Sequence, residues 1–256
     1  VLTRLHLDEE AEQWHAPRTK STDDQQELAQ PCHTAEDYYR RGNVLRAFDR
    51  DEEALRAYEQ CLRLDPFYFD VYERLYLMHY SKDNCEPLVA TFYRAVQAFP
   101  TCARLHLYRA ELLGQLERYQ EALEACNRAI ESDSTYTAAY KEKSEHLNHL
   151  KREGEALEAI EQAIAFDPEA EDCYSRKAEI LASLRRDEEA LAAYHQAIRL
   201  DPDNDYSYWA KARFLAQLGR DEDVLATYDQ FIERFPAVFK GYQEKLFFLS
   251  KRKRYE

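Results

Sequence analysis

Apolar residues along this chain recur at helical spacing. Ala54, Leu55, Tyr58, Cys61 and Leu62 follow one another at steps of one, three or four, with charged and polar residues between them, the pattern of an amphipathic helix buried along one stripe. The pattern returns with a fixed step. Pro66, Pro100, Pro168, Pro202 and Pro236 lie on one ladder of step 34, and Ser134 fills its missing rung. Tyr38, Tyr72, Tyr140, Tyr174, Tyr208 and Tyr242 form a second ladder of the same step, interrupted by His106. Two further columns are small or apolar throughout: Ala54, Leu88, Ala122, Ala156, Ala190 and Val224, and then Cys61, Ala95, Ala129, Ala163, Ala197 and Phe231. A period of this length marks an array of supersecondary units, each too small to bury its own apolar face and completed by its neighbours.

Setting position one at Ala35 places units at 35–68, 69–102, 103–136, 137–170, 171–204 and 205–238, with an unfinished stretch from Phe239. The expected fold is all-α: about six helix-turn-helix repeats plus a terminal helix. Asp51, Asp187 and Asp221 each precede two acidic residues, which predicts an N-cap followed by negative charge at the positive end of the second helix dipole. Proline at the end of the unit stops that helix. Ser134 in the proline column predicts a helix that runs on or turns less sharply. Residues 1–34 do not fit the frame. PRTKSTDDQQELAQP, between Pro17 and Pro31, reads as a linker, and LHLDEEAEQW as either a free tail or a short helix packing through Leu5, Leu7 and Trp14. Residues 239–256 read as a capping helix or a truncated repeat.

Composition narrows the function. A hydrophobic content of 45% sustains a core and excludes disorder. The 35 Lys and Arg against 49 Asp and Glu give a net charge of −14, which repels a phosphate backbone, so nucleic acid is not an expected partner. No apolar run approaches the roughly 18 residues of a membrane span, and the first residues lack the features of a secretory leader. The six cysteines contain no CxxC pair, which speaks against zinc and against a disulfide framework, and Cys61 and Cys126 act as small hydrophobes of the repeat. A reduced, cytoplasmic setting is expected. The start at Val1 without methionine suggests a fragment or a processed product.

The sequence carries no catalytic or ligand-binding motif. The five glycines are too scattered for a phosphate-cradling loop. His146 and His149 stand three apart on one helix face without a third metal ligand. Asp201, Asp203 and Asp205 imitate the start of a calcium loop, but Tyr206 replaces its glycine and Ala212 its glutamate. The basic run at 251–254 reads as a localisation signal, an anion patch or, more simply, the positive charge that a helix C-terminus favours. No cofactor, no metal and no enzymatic activity are expected.

Stretches such as YYRRGNVLRAFDRDEEALRAYEQCLRLDP and YSRKAEILASLRRDEEALAAYHQAIRLDP resemble the tetratricopeptide repeat family, and the resemblance covers residues 35–250. It implies a right-handed α-α superhelix. Small residues in the alanine columns let paired helices approach, and the tyrosine column sets a ring between units. In the 69–102 unit Tyr76 and His79 depart from the family pattern and Pro87 stands near the start of the second helix, so irregular geometry is expected there. The resemblance further implies that positions two, five, six, nine, twelve and thirteen of each unit face a concave, ligand-binding groove. The partner-binding residues expected on that basis are Tyr39, Arg40, Asn43, Arg74, Leu107, Tyr108, Glu111, Lys141, Glu145, Arg176, Glu179, Trp209 and Arg213. Only fragments of the family's chaperone-tail clamp are present: Asn43 fits, while Tyr39, Arg74 and Tyr108 replace clamp residues.

The expected function is a protein-interaction scaffold binding a peptide or protein segment, with two alternatives: a regulatory or substrate-docking region of a larger enzyme, or an assembly protein self-associating through the C-terminal helix around Tyr242, Phe247 and Phe248. Glu111, Glu145 and Glu179 recur at the repeat spacing. Their mutual repulsion predicts a ligand with basic residues next to aromatic ones, unless each pairs within its own helix, as Lys141 with Glu145 and Arg176 with Glu179.

Overall fold

The computed structural model describes residues 28–79 and 86–252. Thirteen helices occupy the stretch from Ala35 to Arg252: α1 (Ala35–Ala47), α2 (Asp51–Leu64), α3 (Phe69–His79), α4 (Glu86–Ala98), α5 (Ala103–Gln115), α6 (Tyr119–Ser132), α7 (Thr137–His149), α8 (Glu153–Phe166), α9 (Glu171–Ser183), α10 (Asp187–Leu200), α11 (Asp205–Gln217), α12 (Asp221–Arg234) and α13 (Phe239–Arg252). No strand occurs among the described residues. The chain divides into two compact units, one ending at Glu142 and the other beginning at Lys143, a division that falls inside α7. In the first unit α1 packs on α2, α5 on α6, and α4 against α5; in the second α9 packs on α10, α11 on α12, and the pairs join through α8 with α9, α10 with α11 and α12 with α13.

Among the described residues, five first helices are followed by a left-handed residue. Asp49, Glu117, Lys151, Arg185 and Gly219 have φ of 58°, 58°, 59°, 60° and 72° and lie 34 residues apart apart from one skipped rung. At the first of these turns Arg50 N–H donates to Leu45 O (2.9 Å) and Asp49 N–H to Arg46 O (2.9 Å), and the same pair of bonds recurs at the other four. Carbonyls that the helix end would leave orphaned are thus satisfied. The arginine after the left-handed residue is the last with non-helical dihedrals, so Arg50, Arg118, Arg152, Arg186 and Arg220 are the N-caps of the second helices. Asp51, Asp187 and Asp221 are therefore the first helical residues and not the caps expected from sequence, and no side chain caps these helices. Their carboxylates still sit in the first turn, where the dipole favours them. Each capping arginine instead reaches an acid three residues on, as Arg152 Nε and Nη2 do to Glu155 at 2.7 and 2.6 Å. Such exposed pairs are worth about 0–1 kcal/mol, so they trim the turn while burial holds the pair.

The turns between pairs unite the two ladders seen in the sequence. Tyr72 Oη donates to Pro66 O (2.9 Å), Tyr140 to Ser134 O (3.1 Å), Tyr174 to Pro168 O (3.2 Å) and Tyr208 to Pro202 O (3.3 Å). The tyrosine and proline columns are the two ends of one hydrogen bond. His106, the break in the tyrosine ladder, keeps it through Nε2 to Pro100 O at 2.9 Å. Asp65, Asp133, Asp167 and Asp201 add a second brace, each accepting the N–H two residues on through Oδ1 at 2.9, 2.9, 3.2 and 3.0 Å. Of the two outcomes expected at Ser134, a helix that runs on is not found. Like α2, α8, α10 and α12, α6 has 14 residues, because Asp133 closes its end without proline.

Small residues set the close approaches. Cys61, Ala95, Ala129, Ala163, Ala197 and Phe231 are all fully buried. At Gly42 a Cβ would stand 2.4 Å from the Tyr58 ring, so only glycine admits that ring. Where Phe231 breaks the small column, Gly241 of α13 takes up the difference: a Cβ there would meet the phenyl ring at 2.7 Å. In α3 the bulky Tyr76 lies stacked on Tyr108, with centroids 3.9 Å apart and planes at 14°. Leu5, Leu7 and Trp14 lie outside the described residues, whereas the chain just before α1 is tied down by Arg41, which donates to Leu28 O (2.7 Å) and Gln30 O (2.9 Å), and Thr34 forms a capping box with Asp37.

Candidate functional site

A concavity lies in the second unit, between α11 and α13. Asn204 caps α11 by accepting the Tyr206 N–H (3.0 Å), and Asp205 in the first turn accepts the Trp209 indole N–H (3.3 Å), which orients that ring. Behind it the indole packs on Phe231, centroids 4.4 Å apart, and on Tyr228 at 5.8 Å. Gly241 lets α13 close on α12, and α13 then presents Lys240, Glu244, Phe247 and Lys251 to the same space. The result is a cavity of about 730 Å³ with Trp209 and Phe247 among its apolar lining.

Its cations sit over its rings. Lys240 Nζ lies 5.2 Å from the Trp209 centroid and Lys251 Nζ 4.5 Å from that of Phe247. Tyr206 Oη donates to Glu179 Oε1 (2.6 Å), and Arg213 approaches the same oxygen at 3.6 Å. Burial and the carboxylate of Glu179 push the Tyr206 hydroxyl above the usual phenol range, so it remains a protonated donor. Lys245 is turned away into an ion pair with Asp229.

All six groove positions of the 205–238 segment, Tyr206, Trp209, Ala210, Arg213, Ala216 and Gln217, line this cavity. Of the residues expected to bind a partner, Trp209 and Arg213 are here; the others are elsewhere. Tyr39 packs on Tyr68 (centroids 5.0 Å apart), Arg40 bonds Glu36 in its own helix (2.6 Å), and Asn43 Oδ1 accepts from Tyr58 Oη (2.7 Å). Arg74 and Lys141 are half-buried on α3 and α7. Leu107 and Tyr108, expected on a ligand-facing surface, are 3% and 5% exposed. The stack with Tyr76 covers Tyr108, and Leu107 packs with Ala129 and Ala139, so both are core residues.

The glutamates are also engaged. Glu111 accepts from Tyr76, Glu145 pairs with Arg176 (2.8 Å), and Glu179 holds Tyr206 and Arg213. Tyr76, Arg176, Tyr206 and Arg213 all come from neighbouring first helices, and within α7 itself His149 stands 4.0 Å from Glu145. The repulsion that motivated a basic ligand is therefore already relieved.

Lys240, Glu244, Phe247 and Lys251 line the cavity but are not among the partner-binding positions expected above, where Phe247 stands only as part of a self-association edge. Extending the groove positions past residue 238 would have found them, since they are positions two, six, nine and thirteen counted from Phe239. Tyr228 lies at no groove position, and Phe248 was expected only at the self-association edge. Among the described residues no group of three or more His, Cys, Asp or Glu stands close enough to hold a metal, and no helix is long and apolar enough to cross a membrane.

Paired helices joined by recurrent tight turns define an α-helical repeat protein. Residues 35–68, 89–137 and 171–204 match family models of the tetratricopeptide repeat, so the chain contains tetratricopeptide repeats. Similar solved structures include YrrB, described as a TPR protein with an unusual peptide-binding site (23% identity, TM-score 0.57, covering 77% of this chain and 99% of that one). They also include pilF of Pseudomonas aeruginosa (17%, 0.61, 82% and 95%) and MamA (20%, 0.59, 66% and 92%). At these identities the likeness is one of fold. No curated protein sequence matches the chain.

Proposed function

We propose that this chain is a non-catalytic scaffold, built of six repeats from 35–68 to 205–238 with residues 239–256 as a cap or unfinished unit, and that it takes a peptide or protein segment in the cavity between α11 and α13. Tetratricopeptide-repeat proteins are generally interaction scaffolds, and YrrB is described as having a peptide-binding site. The observation that carries the reading is the coincidence of the cavity with all six groove positions of the 205–238 segment. Reduced thiols at Cys61, Cys126 and Cys173 favour a cytoplasmic setting.

Peptides selected from a random display library on the full chain test it. Trp209→Ala should weaken the selected peptides by about tenfold or more, the loss expected of a central aromatic anchor, while the helical circular dichroism is retained. Selected peptides that bind the variant as tightly as the parent would overturn the assignment. Self-association is a second reading, favoured by the outer stripe of α13, where Phe239 and Leu246 are 70% and 67% exposed.

A further inference from the structure

The sign of the cavity opposes that of the chain. The whole chain carries 35 basic and 49 acidic residues, yet Arg213, Lys240 and Lys251 line the cavity against one carboxylate, Glu244. Arg213 is partly offset by Glu179, which leaves Lys240 and Lys251 as the local excess. Neither has a carboxylate within ion-pair distance among the described residues. Each ammonium rests on one face of a ring, and its remaining hydrogens are available to a ligand.

Spacing adds a constraint. Lys240 and Lys251 are on one helix, eleven residues apart, and at 1.5 Å per residue their Cα atoms stand about 16 Å apart along α13. An extended chain covers that distance in about five residues. Between them the surface is aromatic: Trp209, Phe247 and Phe248, with Phe247 55% exposed.

Resting on the groove reading above, we infer that the cavity recognises an extended acidic peptide segment whose two carboxylates, about five residues apart, meet Lys240 and Lys251 while a bulky apolar or aromatic side chain between them seats against Trp209 and Phe247. The carboxylates complement the two cations, and the ring supplies apolar burial that charge alone lacks. This reverses the ligand charge expected from the glutamate column, because those glutamates are paired and these lysines are not.

Three synthetic octapeptides decide it: Gly-Glu-Ser-Leu-Phe-Ser-Glu-Gly and its analogues with both Glu replaced by Lys or by Gln, titrated against the full chain at low and high salt. The Glu peptide should bind about tenfold or more tighter than the Lys peptide, lose that advantage in high salt, and fall behind it on a Lys240→Glu, Lys251→Glu variant. Equal or tighter binding of the Lys peptide by the parent chain, or an order unchanged by the double reversal, would overturn the charge assignment. If all three bind alike and all are lost in Trp209→Ala, the groove reading stands and the acidic ligand does not. If the Glu peptide fails to bind, or binds Trp209→Ala as it binds the parent, both fall.

Discussion

The segment 171–204 and the segment 205–252 share one framework and differ in what they leave open. Both carry the tyrosine-to-proline hydrogen bond, Tyr174 to Pro168 and Tyr208 to Pro202, and both turn through a left-handed residue followed by a capping arginine. In the first segment the groove side is closed: Glu179 is held by Tyr206 and Arg213 of the next first helix, and Ser175 and Ser207 share the Glu171 carboxylate. In the second, Trp209 and Phe247 face a cavity, and the outer side of α13 exposes Phe239 and Leu246. Repetition of the framework repeats the same packing, whereas the place where its side-chain columns change leaves a cavity.

The largest test of that contrast is at Phe231. Fully buried and in contact with Trp209 and Gly241, it replaces the alanine found at Ala163 and Ala197, so Phe231→Ala should cost about 3–5 kcal/mol. Because contacts in such arrays are local, hydrogen exchange should rise first in α11 to α13 and leave α9 and α10 protected. Adding Gly241→Leu, which refills the contact from the other side, should recover part of the loss; no recovery would mean that the pair is not complementary.

A smaller effect concerns the apolar column that includes Ile180 and Phe214, both buried, where α7 has His146 instead. Burial pushes the His146 imidazole down from 6.5 to about 4. A depressed histidine favours the neutral form in the folded state, so its contribution is full above pH 6.5 and is lost as pH falls towards 4, by roughly 3 kcal/mol at most. Denaturant titrations at pH 7 and pH 4 should show this loss, and His146→Ile should shrink it. A pH response identical in the two proteins would assign the acid sensitivity to other groups.

The smallest effect compares the two left-handed turns. Arg185 has φ 60° and Gly219 φ 72°, so Arg185→Gly should stabilise and Gly219→Ala destabilise, each by about 1 kcal/mol. A Cβ at Gly219 meets nothing within 4 Å, so the cost there is one of backbone alone. Melting temperatures of the two variants, moving in opposite directions, check it.

By itself the sequence determined the repeat step, the helical class and the buried columns, because each depends on residue type at a fixed spacing: Ala163 and Ala197 are small where two helices touch, and where Phe231 takes that position Gly241 makes the room. It also held the tyrosine and proline ladders, though their meaning as one hydrogen bond became visible only when Tyr174 Oη was found at Pro168 O. What the tertiary structure alone decided is which groove positions remain open. Tyr108 and Trp209 are both groove aromatics in the linear frame. One is covered because Tyr76 of α3 stacks on it; the other stays open because α13 approaches through Gly241 and leaves a cavity. The pairing of Glu145 with Arg176 belongs to the same class of fact. A spacing of 31 residues shows no periodicity in the chain, and only the side-by-side placement of successive first helices turns it into a contact.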